Sequence, residues 1–340
     1  MTHRFPVKEI ALQSGLSTAT IDRVLNNRAN VSPQTRRRVA DAIEELARQE
    51  AQLAARGRRF FIDIVVEAPT RFTREIRKAT EAVLPDFRPA ALRPRFVFSE
   101  TMTTAETVSC LERIRSRGSQ GVCLKARDSE EIRKNIDLLS QKGIPVLTLF
   151  TDIPGSERLA YAGLDNSRAG QTAAYLMHLL LHDTRGSVLT TLSQHAFQGE
   201  EERFTAFRSE LRKHRPDIEL IDASGGGGLS PATAQEVGQR IYGKREIAGV
   251  YSMGGGNIAV LAALEAAGKS PSVFIAHDLD EDNLELLRSE KLSLVLHHDL
   301  RDDMRVAMRH LLAFHGVGAP PDQPESDIQV VTPKNIPKRF

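Results

Sequence analysis

Three polar side chains in this chain stand just past short apolar runs: Asp152 after IPVLTLF, Asp278 after SVFIA and His298 after LSLVL. Carboxylates and an imidazole at the ends of buried strands can face a cleft and fix the hydroxyl directions of a polyol through charge-assisted hydrogen bonds. Asp152 has the alternative of closing a turn. Asn257, after the triple glycine 254–256, either contacts a ligand or caps the helix of IAVLAALEAA. Signals for catalysis fall short. Gly268-Lys269-Ser270 ends like a phosphate-binding loop, but position 263 is Ala where that loop needs Gly, and Gly268 reads better as a helix C-cap. Gly225 to Gly228 and Gly254 to Gly256 lack dinucleotide-binding spacing and read as flexible or close-approach loops. His277-Asp278 and His297-His298-Asp299 resemble parts of a metal or acid-base centre, yet neighbours on a strand point to opposite faces. No GxSxG or HExxH occurs, and Cys110 and Cys123 lack metal-ligand spacing. The expectation is binding without catalysis, with no nucleotide cofactor and no metal.

The elements that must position these groups follow from the apolar pattern. FIDIVV, PRFVFS, GVCLK and IPVLTLF read as strands, separated by helical stretches near 72 to 84, 103 to 117 and 128 to 142. A second series follows in GSVLTTL, DIELIDA, IAGVYSM, SVFIAH and LSLVLH. Strands alternating with helices predict parallel sheets flanked by helices, and two such series predict two doubly wound α/β lobes with a ligand between the carboxyl ends of their strands. The two cysteines read as buried small hydrophobes in a reducing compartment. Without an apolar signal region or a membrane-length stretch, a cytoplasmic protein with no membrane partner is expected.

Residues 6 to 48 have a different texture. Ala11, Gly15 and Ile21 fall where a helix-turn-helix needs a small packing residue, a left-handed turn and an inward anchor. Ser17 caps a second helix whose Thr18, Ala19, Asp22, Arg23 and Asn26 share one face, while Ile21, Val24 and Leu25 turn inward. Ser32-Pro33 opens a third helix with Val39, Ile43 and Leu46 as its apolar stripe. Residues 1 to 59 hold 11 Lys/Arg and 6 Asp/Glu, a balance of +5, whereas the remaining 281 residues hold 35 and 38, a balance of −3. A basic head on a slightly acidic body suits a polyphosphate partner.

The segments VKEIALQSGLSTATIDRVLN and VSPQTRRRVADAIEEL closely resemble the headpiece of the LacI/GalR (lactose-repressor) family of bacterial transcription regulators. Further along, RLAYAGLDNSRAGQTAAYLMHLL and GEEERFTAFRSEL look like pieces of its periplasmic-binding-protein-like core. The resemblance implies a DNA-binding headpiece over 1–48, a hinge over 49–59 and a two-lobed effector-binding and dimerisation core over 60–340, crossed three times, near 152 to 166, 277 to 282 and 299 to 302. It implies operator DNA, a small effector such as a sugar or polyol, and a homodimer as partners. Carried onto this sequence, the DNA-contacting candidates are Ser17, Thr18, Ala19, Thr20, Asp22, Arg23, Asn26, Asn30, Thr35 and Leu53. In the core, Phe72 falls where the family often covers a sugar ring, while Glu201 stands at the place of a ligand-binding arginine and Arg203 at a more structural neighbouring one. That departure favours a neutral or cationic ligand over an acidic sugar. The hinge departs too, with Arg48, Glu50 and Gly57 where the family has Tyr, Pro and a groove-inserting Leu. Asp22 replaces a usual Ser and is expected to accept from a cytosine amino group or to orient Arg23. A rival reading is a soluble sugar-binding protein with a vestigial headpiece.

Overall fold

The computed structural model describes residues 4–28, 31–55, 57–88, 90–182, 184–193, 197–243, 246–322 and 325–338, with side-chain surroundings for all of these except 48–55 and 325. Asn30 and the side chain of Leu53 therefore lie outside what is described. The headpiece comprises α1 (Val7–Ser14), α2 (Thr18–Leu25) and α3 (Pro33–Ala55). Gly15 ends α1 at φ 63°, the left-handed conformation its lack of a Cβ permits. Ser17 caps α2 by accepting from the Thr20 amide at 3.2 Å. Phe5, Ile10, Ala11, Ile21 and Val39 form the small core, with Val24, Leu25, Ile43 and Leu46 against it. α3 runs as one 23-residue helix through the expected boundary at 48.

The first lobe follows as β1 (Arg59–Glu67), α4 (Thr70–Val83), β2 (Ala91–Ser99), α5 (Thr104–Arg117), β3 (Gly121–Lys125), α6 (Glu130–Gln141), β4 (Val146–Leu149) and β5 (Ala160–Leu164). The second is built from α7 (Asn166–Leu181), β6 (Ser187–Thr191), α8 (Gln198–His214), β7 (Leu220–Asp222), α9 (Ser230–Ile241), β8 (Ile247–Ser252), α10 (Asn257–Ala266), β9 (Val273–His277), α11 (Glu281–Arg288) and β10 (Leu294–His297). α12 (Leu300–Phe314) returns to the first lobe, where Met304, Ala307, Met308 and Leu311 join the core under β1. β11 (Glu325–Ser326) then pairs with β5, and β12 (Gln329–Val331) with β10.

Each sheet has six strands, ordered β11-β5-β4-β3-β1-β2 and β12-β10-β9-β8-β6-β7, so the two lobes repeat one topology. All pairs are parallel except β10 with the edge strand β12. The expected two-lobed α/β architecture is present. One expected crossing is not: residues 277–282 connect β9 through α11 to β10 of the same sheet. The chain crosses between β5 and α7, between β10 and α12, and between β11 and β12. The third crossing was illegible because β11 and β12 are only two and three residues long, too short for an alternating pattern.

Candidate functional site

The cleft forms where the carboxyl ends of both sheets face each other, as expected for doubly wound lobes. Its walls carry Glu67, Arg71, Phe72, Lys125 and Phe150 from the first lobe, Ser193, Phe197, Glu200, Arg203, His277, Asp278 and Asp280 from the second, and His298 from the crossing segment after β10. The cavity is about 70 Å³, well under the roughly 300 Å³ at which small-molecule sites begin. Access for a ring-sized ligand thus requires the lobes to part.

Its base is charged and buried. Lys125, at the end of β3, donates to the Glu67 carbonyl at 3.0 Å and places its ammonium 3.7 Å from the Phe197 ring centroid. Burial pushes its pKa down to about 8, against the pull of Glu200 and Glu67. Glu200 accepts from the Ser193 amide and hydroxyl at 2.6 and 2.5 Å. Burial raises its pKa, opposed by Lys125 and these bonds. Arg127 grips the Glu67 carboxylate through Nε and Nη2. Arg203 donates from Nε to Asn166 at 2.6 Å, which anchors α8 to the start of α7.

At the crossing between β10 and α12, His298 stands between two carboxylates, Nδ1 at 2.6 Å from Asp303 and Nε2 at 3.2 Å from Asp278. Burial lowers its pKa, but Asp303 and Asp278 outweigh it and hold the imidazole at about 10, a cation at neutral pH. Asp278 responds in kind: burial works against its charge, yet the His298 bond and charge keep it below the usual carboxylate range. His277 is held neutral by burial, bonds Tyr251 at 2.7 Å, and its Nδ1 has no hydrogen-bond partner among the described residues. Three phenylalanine rings, several carboxylates and several cations line the cleft, and together they can hold a small polar molecule that also has an apolar face.

Of the residues expected at this site, Phe72, Arg203, Asp278 and His298 meet there. Phe72 packs edge-on against Phe150, ring centroids 5.4 Å apart. Asp152 does not line the cleft. The backbone turns to φ 61° at Phe150, and Asp152 is bound by both ends of the Arg158 guanidinium and by Thr148 at 2.7 Å. Glu201 also points elsewhere, toward a surface groove with Ser167, Gln198 and Lys213. Glu200 and Arg203, three apart, share one helical face, whereas the next residue is rotated about 100° away. Asn257 is buried in the first turn of α10, donating to Asn283 at 2.6 Å, and Gly256 holds the cap position. Lys125 and Glu200 were missed from sequence. The signal for the first was a lone lysine in the otherwise apolar GVCLK.

The headpiece presents a second surface. Ser17, Thr18, Ala19, Arg23 and Asn26 are exposed on α2. Asp22 accepts from Asn26 at 2.7 Å and pairs with Arg28 at 3.4 Å, so its ionic partner is Arg28 and not Arg23. Thr20 and Thr35 each bond the serine that caps their helix, Ser17 and Ser32, both at 2.8 Å. No described helix is long and apolar enough to cross a membrane.

Comparison with known proteins matches these two parts separately. Residues 7–47 match the model for bacterial regulatory proteins of the lacI family, and residues 70–313 match the periplasmic binding protein domain. No curated protein matches the chain. Among solved structures, a solute-binding protein of an ABC transporter from Burkholderia graminis C4D1M, in complex with D-arabinose, is 22% identical with a TM-score of 0.73, covering 84% of this chain and 98% of its own. A glucose-galactose binding protein from Geobacillus stearothermophilus is 18% identical with a TM-score of 0.71, covering 82% and 99%. A protein from Bacteroides fragilis assigned as a LacI transcriptional regulator is 15% identical with a TM-score of 0.69, covering 82% and 98%. At these identities the structures speak for the fold alone. The intact helix-turn-helix, the duplicated lobes and the two family matches agree, and the chain belongs to the LacI/GalR family of bacterial regulators, with a core of the periplasmic-binding-protein family.

Proposed function

We propose that this chain is a ligand-responsive transcription regulator, a repressor that binds a pseudo-palindromic operator as a homodimer and senses a sugar or polyol in the interlobe cleft. One observation carries the reading: a DNA-type headpiece with an intact core is joined in one chain to a two-lobed cleft lined by hydrogen-bonding and aromatic groups. Residues 1–48 would read DNA, 49–59 would couple, and 60–340 would sense, in the cytoplasm. The sugars named for the Burkholderia and Geobacillus structures favour the same ligand class. Phe72 would cover a ring face, and Asp278, Glu200 and Lys125 would fix hydroxyls. Those relatives also favour a second reading, a solute-binding protein whose headpiece is idle. The test has two arms: a thermal-shift screen of neutral sugars, polyols and sugar acids on the full chain, and selection of bound sites from randomised duplexes. A ligand at a hundred times its Kd should add about 2.7 kcal/mol of stability, and the recovered duplexes should share two related half-sites. A sugar-dependent shift with no selected sequence would support the idle-headpiece reading.

Base readout would fall mainly to Arg23, because Thr18 and Ala19 are too short for a bidentate contact and Asp22 is held by Arg28. Arg23→Ala should cost roughly 1 to 3 kcal/mol of specific binding and relax preference at one position of each half-site. An unaltered consensus from the variant would exclude Arg23 from the reading role.

A further inference from the structure

The two glycine clusters gain a purpose from what lies against them. Arg71, in the first turn of α4, reaches across the cleft and donates from Nη1 to the Gly228 carbonyl at 3.0 Å. Its Nε lies 2.9 Å from Oδ2 of Asp280, which itself caps α11 by accepting from the Asn283 amide at 2.8 Å. A Cβ on Gly255 would stand 2.3 Å from Arg71 Nη2, and one on Gly228 would meet the same nitrogen at 3.1 Å and the Gly254 carbonyl at 2.3 Å. Gly228 and Gly255 also have φ values of 65° and 76°. The loops after β7, β8 and β9 therefore converge on one guanidinium from the opposite lobe, and any larger residue at 255 would force its Nη2 to move from its present seat. The Arg71 and Asp280 side chains are 18% and 7% exposed, so the pair is largely shielded from solvent and salt. One helical turn on, Arg74 repeats the crossing to Glu281 at 2.7 Å, but there both side chains are more than half exposed and little is gained.

We propose that Arg71 is the clasp of the cleft: seated in the glycine socket and paired with Asp280, it holds the lobes closed and walls in the bound molecule. This rests on the cleft being the ligand site, but the clasp itself can be tested on the full chain with no ligand present. Spin labels at exposed positions on α6 and α9, one per lobe, report the interlobe distance distribution by pulsed dipolar spectroscopy. The parent should give a narrow distribution centred on the closed distance. Arg71→Ala should shift the majority of molecules to a longer and broader distribution. Gly255→Ala should do the same with Arg71 intact, since it blocks the socket, and Arg71→Lys should fall between, keeping charge but losing the fork that serves Gly228 and Asp280 together. Circular dichroism identifies any variant that fails to fold, and Asp280→Asn then supplies the second break in the clasp. Distributions for folded Arg71→Ala and Asp280→Asn that overlay the parent would overturn the proposal, while leaving the ligand assignment to its own screen.

Discussion

Replacing His298 by Ala is expected to lower the stability of the two-lobed core by roughly 3–5 kcal/mol near neutral pH, the range for removing one partner from a buried ion pair. His298 is almost wholly buried between Asp278 and Asp303, and Ser326 of β11 also bonds Asp303. Its loss leaves two carboxylates with no cation between them at a lobe crossing. The pH dependence has a definite sign. The imidazole is held at about 10 in the fold against an ordinary 6.5. Its contribution is therefore complete below pH 6.5 and declines as pH rises, by about 1.4 kcal/mol per unit, until it is gone above pH 10. Lys125 acts oppositely. With its folded pKa pushed down to about 8, it penalises the fold below that pH, and the penalty fades between 8 and the unfolded value near 10.5. Urea titrations of parent and His298→Ala between pH 6 and 9 should therefore give a stability difference that shrinks with pH. A difference constant across that range would mean that His298 is neutral in the fold.

The same residues show how far the cleft could be read from sequence. Asp278 and His298 were legible because each follows a strand closely enough for the strand's end to fix its place. Asp152 fails by the same logic, since a left-handed residue at Phe150 redirects the chain just after β4. Asp278 itself has φ 62° after β9, the matching strand of the other lobe. Nothing in a Phe announces a positive φ, and an Asp, though it adopts one more readily than most residues, does so only where its surroundings impose it. In the run Glu200-Glu201-Glu202 the residue type carries no distinction, and only the helical phase of α8 turns Glu200 inward. The glycine clusters could be recognised as places of close approach. That the approaching group is Arg71, 157 residues earlier than Gly228, is a property of the closed lobes and leaves no local pattern. The headpiece was legible almost completely, because its contacts are local and its capping, turn and core residues agree with one another.

That locality makes Ile21→Ala the most damaging single change expected for DNA binding. Ile21 is fully buried in a core of five side chains, with seven partly buried neighbours packed against it among the described residues. Truncating a buried isoleucine costs about 2–5 kcal/mol, and a helical unit this small holds only a few kcal/mol of stability to begin with. The variant headpiece should be mostly unfolded in the absence of DNA. Apparent affinity for a selected duplex scales with the folded fraction, so a tenfold loss or more is expected, without the change of sequence preference that marks Arg23→Ala. The core should be indifferent. Its lobes are built from separate clusters that include no headpiece residue, and any sugar found to stabilise the parent should stabilise the variant by the same increment. Fluorescence anisotropy on the selected duplex and thermal shift with the sugar, on the same preparation, read the two outcomes side by side. Full duplex affinity in Ile21→Ala would show that the helix-turn-helix core is not what holds the DNA-reading surface together.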